Sequence, residues 1–146
     1  MKVRELLQNK RDKAITVDPN ERVNTVIDLL MRHGIGGVPV VARNGQVVGF
    51  LAERDIAKAL HEHQGDVRQL SVDRVMRQPA PLCRLDDSLT DVMARMTHDR
   101  LRHMVVLDGN QIAGIISLGD IVKQRLEQAE LEAEVLRDYV AAQRAR

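Results

Sequence analysis

Aromatic side chains are almost absent from this chain: its 146 residues include one Phe, one Tyr and no Trp. Phe50 and Tyr139 cannot form a platform on which successive bases of a single strand would stack. The 22 basic and 21 acidic residues leave a formal net charge of +1, which removes the attraction on which non-specific nucleic-acid binding depends. We therefore expect no nucleic-acid partner.

Cysteine is equally scarce, since Cys83 is the only one. A single cysteine forms no internal disulfide and no thiolate metal site, which fits a reducing compartment. Apolar runs such as residues 112–118 are far too short to span a bilayer, and residues 1–5 lack the features of a secretory signal. We expect a cytoplasmic protein without a membrane partner.

Recognisable catalytic motifs are missing as well. There is no Gly-rich loop ending in Gly-Lys-Ser/Thr and no nucleophile paired with a base. His61 and His63 are the only close pair of histidines, and they lie in what reads as a linker, where solvated side chains are more common than metal ligands. We expect a non-enzymatic protein without a metal site.

An internal repeat organises the chain. Residues 15–60 align with residues 81–126 at an offset of 66, which falls to 65 after one deletion in a glycine turn. The residues leading into each copy, 3–7 and 72–76, also resemble each other. At this length the chain holds one domain, or two half-size units that cannot each bury a full core. We expect one compact body with its internal boundary near residues 61–70.

Each copy predicts the order helix, strand, strand, helix. The first helix is amphipathic, with apolar positions at Val23, Val26, Ile27 and Leu30. Two β-branched runs then flank Asn44-Gly45, or Asp108-Gly109 in the second copy, as in a β-hairpin. A second helix opens at Asp55 or at Asp120. The repeat therefore belongs to the mixed α/β class.

Asp55 and Asp120 occupy equivalent strand-to-helix junctions, and Ser117 precedes the second. A carboxylate beside the amides of a helix N-terminus can accept a diol next to a dipole that favours phosphate. The alternative is that both residues only cap their helices. Recurrence at both places weakens this alternative without removing it.

The loop entering each hairpin is the second candidate site. In the first copy it contains Gly34, Gly36 and Gly37, which permit close approach of the backbone to a flat ring, although a tight turn explains them equally well. The second copy places Arg102 and His103 there. These side chains offer charge for a phosphate, or remain solvated.

The repeated glycine, hairpin and Asp unit, clearest over residues 100–123, resembles the CBS domain, and the tandem pair resembles a Bateman module. The resemblance covers essentially the whole chain. It implies an α/β (α+β) fold of two pseudo-symmetric repeats, residues 1–65 and 66–128, each a small sheet packed with two helices, followed by a helical extension over residues 129–146. It also implies an adenosine nucleotide (AMP, ADP, ATP, NAD or S-adenosylmethionine) in the cleft as a regulatory ligand rather than a required cofactor, and an unidentified regulated protein.

The resemblance further implies two pockets, each combining the Asp of one repeat with the strand entry of the other. The first set is Arg54, Asp55, Pro81, Leu101, Arg102 and His103. The second set is Ala14, Ile15, Ile35, Gly36, Gly37, Ser117 and Asp120. Ala52 stands where the family usually has Ser or Thr, so phosphate binding in the first pocket loses a hydroxyl, for which Arg54 and Arg102 compensate.

Residues 120–142 contain neither Gly nor Pro and predict an unbroken C-terminal helix. Alternating spacings of four and three define an apolar seam, formed by Val122, Leu126, Ala129, Ala133, Leu136 and Val140. We expect Leu131, Val135 and Tyr139 to widen it. The seam predicts a homodimer or a higher assembly; alternatively, the helix covers its own core. A ligand-free structural or adaptor protein acting through dimerisation is the alternative function.

Overall fold

A computed structural model describes residues 1–8 and 13–145, which form five helices, five strands and one 3-10 turn. In chain order the first half contains α1 (Val3–Gln8), α2 (Val23–His33), β1 (Gly37–Val41), β2 (Val47–Ala52) and α3 (Glu53–His63). After the 3-10 turn (Val72–Arg74) the second half contains β3 (Leu82–Arg84), α4 (Leu89–Asp99), β4 (His103–Asp108), β5 (Gln111–Ser117) and α5 (Leu118–Arg144).

The predicted order of helix, hairpin and helix is confirmed in both halves. β1 pairs antiparallel with β2, and β4 with β5. Gly45 and Gly109 take positive φ angles of 85° and 61°, as the Asn-Gly and Asp-Gly turns predict. Both hairpins shift register at equivalent places, after Val40 and after Val106. The two repeats therefore share even their irregularities.

A third strand, which the sequence analysis missed, lies beside the second hairpin. β3 pairs in parallel with β4, and its central residue Cys83 faces Val106. In the first half this strand is reduced to an isolated parallel bridge between Val17 and Val40. Three residues are too few to show the alternation by which a strand is recognised.

The residues leading into each repeat pack on the core of the other repeat. Val3 and Leu6 of α1 are 0% and 5% exposed and belong to the core formed by the second repeat. Val67 and Val72, which precede the second aligned copy (residues 81–126), are 1% and 0% exposed and belong to the core of the first repeat. Each core therefore contains residues from both sides of residue 65. The division of the chain into residues 1–65, 66–128 and 129–146 stays a prediction.

The long C-terminal helix is confirmed, since α5 runs unbroken for 27 residues. Ile121 is buried at 1% exposure, whereas residues 125–145 are all exposed. The alternative in which this helix covers its own core therefore holds only for its first two turns. Among the described residues, 1–8 and 13–145, no helix has the length and apolar character needed to cross a membrane.

The expected widening of the seam by Leu131, Val135 and Tyr139 stays a prediction, and helix geometry favours it for Tyr139 alone. Successive residues of an α-helix are about 100° apart, which places Leu131 and Val135 well away from the seam, whereas Tyr139 lies on its flank beside Leu136. The seven large apolar side chains of α5 from Val122 to Val140 are all 40% to 62% exposed. The helix therefore presents two separate apolar stripes to solvent.

Candidate functional site

Two cavities lie between the repeats. The first has a volume of about 530 Å³ and is lined by Gly36, Phe50, Ala52, Glu53, Arg54, Asp55, Ala57, Arg77, Pro81, Arg100, Arg102 and His103. The second has a volume of about 670 Å³ and is lined by Leu7, Lys13, Ala14, Ile15, His33, Gly34, Ile35, Gly36, Gly37, His103, Ala113, Gly114, Ile115 and Ser117. Each cavity is therefore built from residues of both repeats.

The structure brings most residues of the first predicted pocket together. Arg54, Asp55, Pro81, Arg102 and His103 all line the first cavity. Leu101 instead packs against the core of the second repeat. Their role in nucleotide binding stays a prediction, since the arrangement shows proximity alone.

Asp55 caps α3. Its Oδ2 accepts a hydrogen bond from the backbone N–H of Ala52 at 2.9 Å, and its Oδ1 lies 3.6 Å from Nη2 of Arg77. A ribose diol binding this carboxylate would share or replace the contact with Arg77. Arg77 lies between the two aligned copies, residues 15–60 and 81–126, so comparison of the copies offers no signal for it.

The first cavity is strongly basic. Four arginines line it, namely Arg54, Arg77, Arg100 and Arg102, against the carboxylates of Glu53 and Asp55. Arginine presents several donors in a planar fork that matches phosphate oxygens. The lining therefore favours an anionic ligand, and the sequence analysis found only half of these arginines.

The second cavity contains all but one of its predicted residues. Asp120 is half-buried and is not part of the lining. Its Oδ2 accepts from the backbone N–H of Ser117 at 2.7 Å, while the Ser117 Oγ accepts from the backbone N–H of Asp120 at 3.1 Å. This reciprocal pair is a capping box at the start of α5. Capping is thus observed at both aspartates, and contact between Asp120 and a ribose stays a prediction.

Basic side chains also face the second cavity. Lys13 and His33 belong to its lining, although the sequence analysis did not select them. Both occupy positions that lack a basic counterpart in the other repeat, so the internal symmetry does not reveal them. The second cavity is therefore less basic than the first, with no arginine among its lining residues.

Gly36 and His103 line both cavities and form their shared wall. A Cβ atom on Gly36 would lie 3.2 Å from the imidazole ring of His103, and one on Gly37 would lie 2.5 Å from the ring of Phe50. The Phe50 and His103 ring centroids are 5.3 Å apart. The glycines therefore make room for two protein rings, and among the three only Gly34 takes a positive φ.

Comparison with known proteins decides the family. The model of the CBS domain matches residues 3–62 and 72–127. The chain belongs to the CBS domain family. The CBS domain-containing protein YhcV of Bacillus subtilis is 32% identical over 111 residues, covering 76% of this chain and 78% of that protein. The predicted resemblance and fold class are confirmed.

Solved structures of CBS-domain proteins share this fold. A CBS-domain-containing protein from Agrobacterium tumefaciens is 35% identical with a TM-score of 0.80, covering 85% of this chain and 92% of that one. A CBS domain protein from Pyrobaculum aerophilum, complexed with AMP, is 20% identical with a TM-score of 0.76, covering 91% and 99%. At 20% identity the second likeness concerns the fold alone.

Within residues 1–8 and 13–145 of this CBS pair, no group of three or more His, Cys, Asp or Glu side chains is placed to hold a metal ion. His61 and His63 lie at the end of α3, and both are exposed.

Cys83 of this CBS pair lies in β3, outside the linings of both cavities. Burial raises the pKa of its thiol to about 12, and the nearby Asp87 carboxylate acts in the same direction. Because the thiolate is the reactive form, we expect a thiol reagent at mildly alkaline pH to react on the order of a thousandfold more slowly with native than with urea-unfolded protein. Ellman's reagent measures both rates. Rapid stoichiometric labelling of the native protein would contradict this expectation.

Proposed function

We propose that this CBS pair is a cytoplasmic, non-catalytic sensor that binds adenosine nucleotides between its repeats and signals to a partner protein. The proposal is supported by the way each cavity combines residues of the two repeats. In the first, the start of α3 at Arg54 and Asp55 meets Arg102 and His103 at the entry of β4. In the second, Ser117 meets residues 35–37 at the entry of β1. Each cavity thus combines a helix N-terminus, which favours phosphate, with a strand entry from the other repeat.

The positive charge of the first cavity limits the kinds of ligand that it can bind. Its four arginines attract phosphates and oppose the positive sulfonium of S-adenosylmethionine. AMP, ADP, ATP and NAD fit this charge.

Calorimetry with purified protein tests the proposal. Titration with AMP, ADP, ATP, NAD and S-adenosylmethionine should show saturable binding of at least one ligand, which should also raise the melting temperature because it binds the native state. Mass spectrometry of ligand released by denaturation identifies any nucleotide that copurifies. If none of the five binds and none shifts the melting temperature, the sensor function is rejected.

The phosphate role of Arg54 and Arg102 gives a separate prediction. One charge-assisted hydrogen bond contributes about 1.5–3 kcal/mol, so a single such bond to the phosphate should make AMP bind about ten- to a hundredfold more tightly than adenosine at low ionic strength. Rising salt should narrow this difference. Affinities of both ligands, measured by calorimetry across a salt series, provide the comparison.

The double variant Arg54→Gln with Arg102→Gln should bring the affinity for AMP close to that for adenosine. Arg43→Gln is the matched control, because Arg43 is exposed and lies outside both cavities. If the unmodified protein binds AMP and adenosine with equal affinity at low salt, these arginines do not bind a phosphate.

A ligand-free adaptor that acts through dimerisation is the second candidate function. The observation in its favour is α5, whose apolar side chains from Val122 to Val140 are exposed along the helix. We propose that the protein is a homodimer or a higher assembly under either function. The ligand titration separates the two functions, because an adaptor needs no nucleotide.

A further inference from the structure

We propose that α5 pairs with α5 of a second copy as a parallel, in-register, two-stranded coiled coil. The seam residues Val122, Leu126, Leu136 and Val140 are 40% to 62% exposed, and they continue the three-four spacing typical of such pairs. Residues 125–145 are exposed on every side. This inference does not depend on nucleotide binding.

The seam is accessible to a second copy. Ile121 is buried, Gln124 is half-buried and Arg125 donates to Thr90 of α4, so these residues mark the side of α5 that faces the rest of the protein. At about 100° per residue their average direction lies about 110° from that of the seam. A second helix can therefore approach the seam without meeting the repeats.

The apolar residues alone do not determine the orientation of the pair. In order, the seam reads Val, Leu, Ala, Ala, Leu, Val, which is symmetric about Leu131. In a parallel pair each residue meets its own copy. In an antiparallel pair centred on Leu131, Val meets Val, Leu meets Leu and Ala meets Ala once more. Both orientations bury the same side chains.

The charged residues beside the seam favour the parallel orientation. In a parallel pair a residue on one flank faces the partner residue five positions later, so Glu132 faces Arg137 of the partner subunit and Arg125 faces Glu130 of the partner subunit. Arg125 already donates to Thr90 Oγ1 at 3.2 Å in its own chain. The preference for the parallel orientation therefore rests on the pair of Glu132 and Arg137.

The antiparallel orientation brings like charges together. Around Leu131, Glu130 and Glu132 would each face their own copies, and Lys123 would face Arg137 of the partner subunit. Like charges in these positions are unfavourable. Charge complementarity therefore identifies the occupant as a second copy and its direction as parallel.

The stripe on the opposite side of α5 is a weaker candidate for this pairing. Extended at the same spacing, Leu131 and Val135 align with Gln124, Gln128 and Asp138. Polar residues at these layers reduce the buried apolar area and the stability of a coiled coil. The seam therefore provides the longer continuous contact.

Disulfide trapping tests the seam and its direction. The variant Ala129→Cys should form a disulfide-linked dimer under mild oxidation, because residue 129 meets its own copy in a parallel pair. Leu131→Cys is the matched control: residue 131 is also exposed but lies on the opposite side of α5, so this variant should remain monomeric on non-reducing gels. Cys83 is buried and can be retained in both proteins.

Each outcome of the trapping is decisive. Efficient linkage of Ala129→Cys alone supports the parallel pair. A mixture of Ala129→Cys and Ala133→Cys proteins that links better than either protein alone would show an antiparallel pair and overturn the proposal. Linkage of Leu131→Cys to the same extent, or of neither variant, would also overturn it.

Charge reversal provides an independent test by sedimentation. Arg137→Glu should weaken self-association about two- to tenfold in the parallel pair, because it faces Glu132 of the partner subunit. Adding Glu132→Arg in the same chain should restore it. In an antiparallel pair Arg137→Glu would instead face Lys123 of the partner subunit and strengthen association, which would contradict the proposal. Circular dichroism and urea unfolding, measured on the same proteins, show whether they remain folded.

Discussion

Separate expression of residues 1–65 and 66–146 should give two fragments that do not fold stably. The cut removes Val67 and Val72 from the core of the first repeat, and Val3 and Leu6 from that of the second. Each fully buried Val or Leu contributes about 1.5–3 kcal/mol, so each fragment loses about 3–6 kcal/mol. This is comparable to the whole stability of a small domain.

A fragment with shifted ends is the matched control. Residues 13–76 omit α1, which packs on the second repeat, and retain Val67 and Val72 with their own core. Circular dichroism and urea unfolding should show more cooperative structure in residues 13–76 than in residues 1–65. If the two fragments are equally stable, residues 67–72 contribute little to the stability of the first repeat.

Asp120→Ala should reduce nucleotide affinity about ten- to a hundredfold if its carboxylate binds a ribose, because a hydrogen bond to a charged group contributes about 1.5–3 kcal/mol. The same change removes the acceptor for the Ser117 N–H. Loss of a helix cap costs about 0.5–2 kcal/mol of folding free energy. Affinity by calorimetry and stability by urea unfolding must therefore be measured on the same protein.

Ser88→Ala separates the two effects of this substitution. Ser88 caps α4 by accepting from the backbone N–H of Asp91 at 3.4 Å, and it lies outside both cavities. This control should lose comparable stability and retain full affinity. If Asp120→Ala also binds nucleotide with unchanged affinity, Asp120 acts only as a helix cap.

Much of the fold could be predicted because its local patterns agree with its elements. The apolar spacing of Val23, Val26 and Leu30 marks the buried face of α2, and Asn44-Gly45 marks a hairpin turn. These patterns did not predict that the residues leading into each repeat pack on the core of the other repeat. Val3 and Val72 head similar short motifs, and nothing in such a motif specifies which of two similar cores it covers.

The cavities were predicted only as far as the internal symmetry extends. The repeat and its family resemblance predict Arg54 and Arg102 as binding residues. Arg77 lies between the aligned copies and comes close to Asp55 only in the folded chain. Leu101 has the expected location but packs into the core. Side-chain direction at such a position depends on tertiary packing, which the sequence pattern does not contain.

The position of α1 affects the order in which the chain folds during synthesis. Its backbone is held by distant partners: the N–H of Val3 donates to the carbonyl of Asp87 at 3.0 Å, and that of Arg4 to the carbonyl of Leu85 at 2.9 Å. The first repeat can complete its core once Val72 has left the ribosome, whereas α1 must wait for the second repeat to appear. Contacts between such distant residues form late because long loops must close first. α1 is therefore synthesised well before its partners and is among the last elements to reach its folded position.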